Sequence, residues 1–351
     1  MILHLTENSP EPMRSQIARQ LRGKILTGDL EEGRPLPETH RVAREHRVSP
    51  HEVRQALEEL ESEGLLEREG DAKFRVAPVS SEQRRALAGR RLLDDVREQE
   101  LSLRELELAR DIQRRLLPPA RIEGGGYTVI SRMFPARFVA GDFYDVMRHA
   151  DGSVGVVVAD VVGKGFGASL VMASVKAMTP FIAAERGVAE TLCDLNRRLC
   201  VELGKGQFVA LAYARITPAT GMVELANAGM PDPFVVRRGG PVAVIEAPGV
   251  RLPLGIHTDL RYESVTHPLD EASRLLLFSD GIPEAQLPSG QPLGYDGLAG
   301  ILVRSVVHPA RSLPVERWLD DILDEAQRAT GPALDDDWTA VVVECNGGGE
   351  G

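Results

Sequence analysis

VGVVVADVVGKGFG, Val154–Gly167, carries the chain from an apolar run into a glycine-rich turn. Val154 to Val158, interrupted only by Gly155, predicts a buried strand. The strand ends in Ala159-Asp160, and a carboxylate there must be hydrogen-bonded, paired or bound to a cation. Gly163, Gly165 and Gly167 follow, then a predicted helix rich in small residues, Ala168 to Ala184. Upstream, Gly141-Asp142-Phe143-Tyr144-Asp145-Val146 is a second strand-like run. His149-Ala150-Asp151-Gly152-Ser153 lies between the two and contains the Asp-Gly hairpin signal. A turn centred on Asp151-Gly152 sets Asp142 opposite Val161 and Phe143 opposite Asp160. Asp142 and Asp160 are then neighbours at one end of a hairpin. Adjacent carboxylates repel unless they share a proton or a metal. From these residues alone two readings stand equally, a shared cation site and two turn aspartates.

The chain has 351 residues, room for two or three domains, and a net charge of −11. Residues 1–80 carry −3, residues 81–121 carry +2, and residues 122–351 carry −10. The acidic balance argues against nucleic acid as the substrate of the large domain and suits one that collects cations. No signal peptide and no membrane-spanning apolar run is read from the sequence. Cys193, Cys200 and Cys345 form neither a metal pattern nor a disulfide framework, so a cytoplasmic location is expected.

Residues 1–78 predict a small helical module. Ile17, Leu21 and Ile25 share one helical face within Pro12–Leu26. A short helix over Thr39–His46 precedes Val48-Ser49-Pro50 and a longer helix over His51–Gly64, with Ser49 as N-cap and Pro50 at the first helical position. Leu65–Val76 reads as a two-stranded wing. Gln16-Ile17, Gly28-Asp29-Leu30, Gly33, Leu36-Pro37, Val48-Ser49, Val53–Leu57, Glu63-Gly64-Leu65 and Phe74 resemble the GntR-type winged helix-turn-helix. That resemblance implies DNA contact through the helix after Ser49, with Arg41, Arg44, His51 and Arg54 as candidate contacts and Arg47 nearby. Pro50, His40 and the wing run Gly70-Asp71-Ala72-Lys73 depart from the family's basic pattern. A winged helix kept for dimerisation or protein contact is the competing reading.

Residues 79–121 predict a helical linker. Leu92, Val96, Gln99, Leu103 and Leu106 follow a coiled-coil spacing, and Pro118-Pro119 stops the helix. A homodimer is expected from both the winged helix and this linker.

Residues 122–346 alternate hairpins and helices. Predicted elements are a helix over Val188–Leu203, strands over Phe208–Ile216 and Met222–Ala226, a Pro233–Arg237/Val242–Ile245 hairpin, a strand over Arg274–Phe278, a helix over Pro314–Ala329 and a strand over Trp338–Glu344. Locally paired strands mean α+β with antiparallel sheets. Asp142, Asp160, Asp280 and Asp336 all stand at strand ends, and oxygen-only ligands suit Mg²⁺ or Mn²⁺. Residues 347–351 are expected to be a disordered tail.

Six ordered motifs resemble the SpoIIE-type branch of the protein phosphatase 2C (PPM) superfamily. They are Ala109–Gln113 with Leu116-Leu117-Pro118; Gly141–Asp145; Ala159–Gly165 with Ala168-Ser169-Leu170; Asn227-Ala228-Gly229 with Pro253-Leu254-Gly255; Ser279-Asp280-Gly281 with Glu284-Ala285; and Asp336-Asp337-Trp338-Thr339. The resemblance implies two antiparallel sheets packed face to face with helices outside. It also implies a two-metal centre that hydrolyses phosphoserine or phosphothreonine with a metal-bridged hydroxide. Carried over by position, Asp160 bridges both ions, the Val161 carbonyl and Asp142 serve the second, and Asp280 and Asp336 hold the first. The family has His where Met230 stands, so no acid role is expected there, and Asp337 is given at most an orienting role. The implied substrate is a phosphorylated anti-sigma-factor antagonist or a similar signalling protein. The alternative is a DNA-binding transcription regulator whose phosphatase-like domain is a sensor or dimer module.

Overall fold

A computed structural model of the chain describes residues 3–6, 12–69, 73–78, 80, 100–101, 103–271, 273–307 and 313–346. They fall into two units, Met1–Leu103 and Arg104–Gly351.

In the first unit, α1 (Met13–Thr27), α2 (Thr39–His46) and α3 (Pro50–Ser62) precede a small antiparallel pair, β1 (Leu66–Arg68) and β2 (Phe74–Val76). Ile17, Leu21 and Ile25 of α1 pack with Val53, Leu57 and Leu60 of α3. The Ser49 hydroxyl accepts the His51 N–H at 3.2 Å, and Pro50 opens α3, where a missing N–H costs nothing. Gly28 ends α1 with φ 86°, a conformation in which a side chain is strained. These elements make the expected winged-helix arrangement.

A helix over residues 103–116, α4, supplies the first residues of the second unit from Arg104 on. Two antiparallel sheets follow. The five-stranded sheet has the order β11-β8-β7-β6-β5: Ser264–Pro268, Met222–Ala228, Val209–Thr217, Val154–Val161 and Phe143–Arg148. The six-stranded sheet has the order β10-β9-β12-β13-β4-β3: Val242–Val244, Phe234–Arg237, Ser273–Phe278, Trp338–Cys345, Tyr127–Phe134 and Arg121–Gly124. Strand alternation sorts the side chains into layers. Val154, Val156 and Val158 meet Leu275, Leu277, Val341 and Val343 in a core between the sheets. Val157, Ala159 and Val161 face the other way, onto α5 (Phe166–Ala183) and α6 (Val188–Glu202). Leu276, Phe278, Ala340 and Val342 face α8 (Gly294–Val307) and α9 (Val315–Thr330). A four-residue helix, α7 (Gly281–Glu284), lies between β12 and α8. The result is the expected α+β sandwich of two packed antiparallel sheets flanked by helices.

Three expectations change. The hairpin between β5 and β6 pairs Phe143 with Ala159 and Tyr144 with Val158, not Phe143 with Asp160. His149 N–H bonds to the Ser153 carbonyl, so Ala150-Asp151-Gly152 form a three-residue loop. The extra loop residue shifts the register by one and sets Asp142 opposite Asp160. Second, α5 is 18 residues long and apolar enough to cross a membrane by length and composition. Its Ala168, Met172, Val175 and Ile182 pack on the sheet, and Lys176 pairs with buried Asp145 at 2.8 Å. Third, β3, β4, β11 and α8 stand where no element was expected. Gly297 and Gly300 inside α8 weaken its helical signature. Leu92, Val96 and Gln99 of the seam, wing residues 70–72 and the tail 347–351 lie outside the described residues. Leu103 is exposed and Leu106 half-buried.

Candidate metal centre

Four strands of the sandwich finish at one end of the inter-sheet core, and alternation decides what they leave there. Asp160 shares parity with Val154, Val156 and Val158, and Asp142 shares parity with Tyr144, so both point between the sheets. Ser279 continues the Leu275–Leu277 face, and Asp337 and Thr339 continue the Val341–Val343 face. Asp280 and Asp336 flank these positions. An apolar layer thus ends in a set of carboxylates and hydroxyls supplied by both sheets.

Asp142 is 2% exposed. Burial, then repulsion from Asp160, holds its carboxyl well above the usual range; Thr339 and Ser279 hydroxyls beside it pull the other way. Burial, then the charge of Asp280, pushes Asp160 up to about 7, with Asp336 and Asp337 adding to the rise and a hydrogen bond with Asp142 opposing it. Asp280 is raised by burial and then by Asp336. Glu284, one turn beyond, is raised by burial and then by Asp280 and Asp336. The structure therefore brings Asp142, Asp160, Asp280 and Asp336 into one mutually repelling set. Glu284 belongs to the same field but was not picked out as a site residue, because a lone Glu on a short helix carries no pattern.

The rest of the site is a frame. Asp337 accepts the Ala136 N–H on Oδ1 and the Gly141 N–H on Oδ2, each at 2.8 Å, and so ties the segment before Asp142 to the start of β13. Gln113 of α4 holds the same segment from the other side. Its Nε2 donates to the Ala140 carbonyl at 2.8 Å and its Oε1 accepts the Ala140 N–H at 3.0 Å. Lys164 reaches Asp336 Oδ2 at 2.9 Å and the Asp335 carbonyl at 2.7 Å. Asn227 closes the Asn227–Pro231 loop by bonding both the N–H and the carbonyl of Met230. The Met230 side chain is buried in the inter-sheet core and offers no proton donor.

No group of three or more His, Cys, Asp or Glu among the described residues is arranged as a ready metal-holding cluster. The donor set nevertheless fits hard cations. Asp142 Oδ2 is buried with no hydrogen-bond partner, an orphaned oxygen that a bound cation would satisfy. Gly141 keeps space open beside it: a Cβ there would stand 2.9 Å from the Val161 carbonyl oxygen and 3.4 Å from Asp160 Oδ1. Oxygen donors with no sulfur or imidazole among them match Mg²⁺ or Mn²⁺.

On the winged helix, Arg44, His51 and Arg54 are exposed on α2 and α3, whereas exposed Arg41 pairs with Glu45 at 2.8 Å. In the wing, Arg68 pairs with Glu61 and Glu58, and Arg75 pairs with Glu69. Internal acids thus engage the wing's arginines.

The sequence profile described as Stage II sporulation protein E (SpoIIE) matches residues 150–346, and the profile of bacterial regulatory proteins of the gntR family matches residues 13–76. Phosphoserine phosphatase RsbU of Bacillus subtilis (strain 168) is 26% identical over 242 residues, 68% of this chain and 69% of RsbU. The SiaA-PP2C domain of Pseudomonas aeruginosa superposes with a TM-score of 0.60 at 20% identity, covering 70% of this chain and 98% of that domain. The structure of the RsbU and RsbW domains of Rv1364c from Mycobacterium tuberculosis gives a TM-score of 0.56 at 23% identity. It covers 64% of this chain and 61% of that one. The superpositions carry the fold.

Proposed function

Since the chain belongs to the SpoIIE family and joins a PPM-type phosphatase domain to a GntR-type domain, we propose that it is a metal-dependent phosphoprotein phosphatase acting on phosphoserine or phosphothreonine. The observation that carries this reading is the pairing of Asp142 with Asp160 at the open end of the inter-sheet core, with Asp280 and Asp336 facing them. Asp160, Asp142, the Val161 carbonyl, Asp280 and Asp336 would hold two divalent cations, Mn²⁺ or Mg²⁺. Bound there, such ions supply Lewis acidity toward a phosphoryl group and an acidified water as nucleophile.

The protein's own groups position and exclude. Asp337 and Gln113 set the path of residues 136–141 and hence where Asp142 points. The apolar inter-sheet core beneath the carboxylates keeps bulk water from their inner side and strengthens their hold on cations. Among the described residues of the Asn227–Pro231 loop no side chain offers a proton to a leaving group. That loop therefore supplies no general acid.

RsbU is named as a phosphoserine phosphatase, which supports a phosphorylated signalling protein, such as an anti-sigma-factor antagonist, as substrate. The three free cysteines suit a reducing compartment, and the reading places the protein in the cytoplasm as a homodimer. Domain limits of 1–78, 79–121 and 122–346 belong to the same proposal. The GntR-type match supports a second role for residues 1–78 in DNA binding through Arg44, His51 and Arg54, with Arg41 beside them.

Mn²⁺-dependent hydrolysis of p-nitrophenyl phosphate and of a phosphoserine peptide tests the enzyme. Asp160→Asn should reduce turnover at least a thousandfold, and wild-type turnover in that variant would end the proposal. Retention on duplex DNA that weakens steeply with salt tests the second role.

A further inference from the structure

The chain has nine phenylalanines, and four of them are exposed: Phe134, Phe138, Phe166 and Phe181. Phenylalanine is among the residue types most often buried, so an exposed group of them marks a surface with a use. Three of the four stand on the segments that deliver the carboxylates of the candidate centre. Phe134 closes β4 directly opposite Trp338, two residues after Asp336. Phe138 lies in the stretch from Ala136 to Gly141 that Asp337 grips by its backbone, four residues before Asp142. Phe166 opens α5 six residues after Asp160, and Leu170 follows one turn later on the same face. These four side chains are 41–56% exposed. The start of α5 and the Phe138 stretch lie side by side, since a Cβ on Gly141 would stand 3.5 Å from the Ala168 Cβ. Ala168 and Ser169, between Phe166 and Leu170, are buried, so the first turns of α5 are seated on the domain and present those two side chains outward.

We propose that Phe134, Phe138, Phe166 and Leu170 form a docking lip for a phosphoprotein whose phosphoserine is flanked by apolar side chains. The inference rests on the phosphatase reading above and adds the class of sequence that the site selects. Reach argues for that occupant. The carboxylates end a buried layer, with Asp142 almost fully enclosed, and a serine side chain is short. A phosphoryl group arrives there only when the residues beside the phosphoserine lie against the lip. The lip meets them with aromatic rings and a leucine, which gain by leaving water against apolar partners and not against charged ones. A small phosphate ester would not cover Phe134, Phe138 and Phe166 together, because they come from three separate segments. A second copy of this chain packed on the same rings would shut the centre that they border.

The test uses the full chain with Mn²⁺ and two synthetic phosphoserine peptides, one with leucine and one with serine at the positions flanking the phosphoserine. The wild type should favour the leucine peptide about tenfold in kcat/KM, with the difference in KM. Phe138→Ser and Phe166→Ser should each cut that preference about threefold, and the double variant should abolish it. Phe181→Ser, an exposed phenylalanine on α5 about 22 Å along the helix from Phe166, is the control and should keep it. Equal kcat/KM for the two peptides in the wild type, or a preference that survives the double variant, overturns the proposal. Should Phe138→Ser fail to fold, Phe166→Ser combined with Leu170→Ser decides. Light scattering identifies the other occupant: a protein whose mass halves in Phe166→Ser while the preference stays intact has a contact between copies there, and the proposal falls. A wild type that hydrolyses neither peptide nor p-nitrophenyl phosphate refutes the phosphatase reading alone. Docking is then decided by fluorescence anisotropy of the unphosphorylated peptides. Tighter binding of the leucine peptide that the double variant loses upholds the lip, and equal binding of the two overturns it.

Discussion

Replacing Asp337 by Asn tests whether the carboxylate frame, and not only the cation-facing set, makes the site. Asp337 is 9% exposed, and each of its oxygens accepts one backbone N–H at 2.8 Å. Hydrogen bonds to a charged group contribute about 1.5–3 kcal/mol each. Asparagine has the same shape but only one acceptor, so one of the two N–H groups would meet an amide NH₂. One charge-assisted bond is lost and one buried donor is stranded, a gross cost of about 3–5 kcal/mol. Relief of the repulsion from Asp336, which helps raise the Asp337 carboxyl, offsets part of this. A net loss of about 2–3 kcal/mol remains, below the 5–15 kcal/mol stability typical of a folded domain. The variant should therefore fold. Both tryptophans, Trp318 and Trp338, are buried in the second unit, so fluorescence during urea unfolding reports on that unit alone. With a urea slope of about 3 kcal/mol/M, the midpoint should fall by about 0.7–1 M, and Mn²⁺ should bind more weakly. An Asp337→Asn midpoint within about 0.2 M of wild type would refute the claim that this carboxylate holds the segment before Asp142.

Other outcomes follow from the same geometry. Gly141→Ala puts a Cβ 2.9 Å from the Val161 carbonyl oxygen; it should cost about 1–3 kcal/mol and abolish Mn²⁺ binding, as read by calorimetry. Lys164→Ala removes the ammonium bound to Asp336 and should tighten Mn²⁺ binding severalfold in the same measurement while lowering the melting temperature in EDTA. In EDTA, Asp160, pushed up to about 7, binds a proton in the folded state that the unfolded chain releases near pH 4. The folded form then holds more protons between pH 4 and 7, so stability should fall as pH rises through that window. Urea midpoints at pH 5 and 7.5 check this, and saturating Mn²⁺ should remove the decline. Finally, burial pushes the Cys345 thiol up to about 11, so iodoacetamide at pH 7.5 should label Cys193 and Cys200 and leave Cys345 unmodified until the protein unfolds.

Much of the site was legible because its parts are local. Val154–Asp160 announces a buried strand closed by an acid, and the Asp-Gly turn places a second acid beside it. The register was wrong by one residue because a two-residue and a three-residue loop carry the same Asp-Gly signal; only the His149–Ser153 pairing chooses between them. β3, β4, β11 and α8 escaped notice for a related reason. Pairing across a sheet and packing against α9 stabilise them more than their own periodicity does.

By itself the sequence determined that β6 and β12 would be buried strands ending in an acid, and that the sheets would be antiparallel, since alternation and turn chemistry act over a few residues. The tertiary structure alone decided that Asp337 and Gln113 would grip one segment from opposite sides and that Lys164 would enter the acidic field. It also decided that Met230 would be buried in the core. Those roles depend on contacts between residues from 27 to 201 positions apart, and no local pattern encodes a partner that only folding brings within 3 Å.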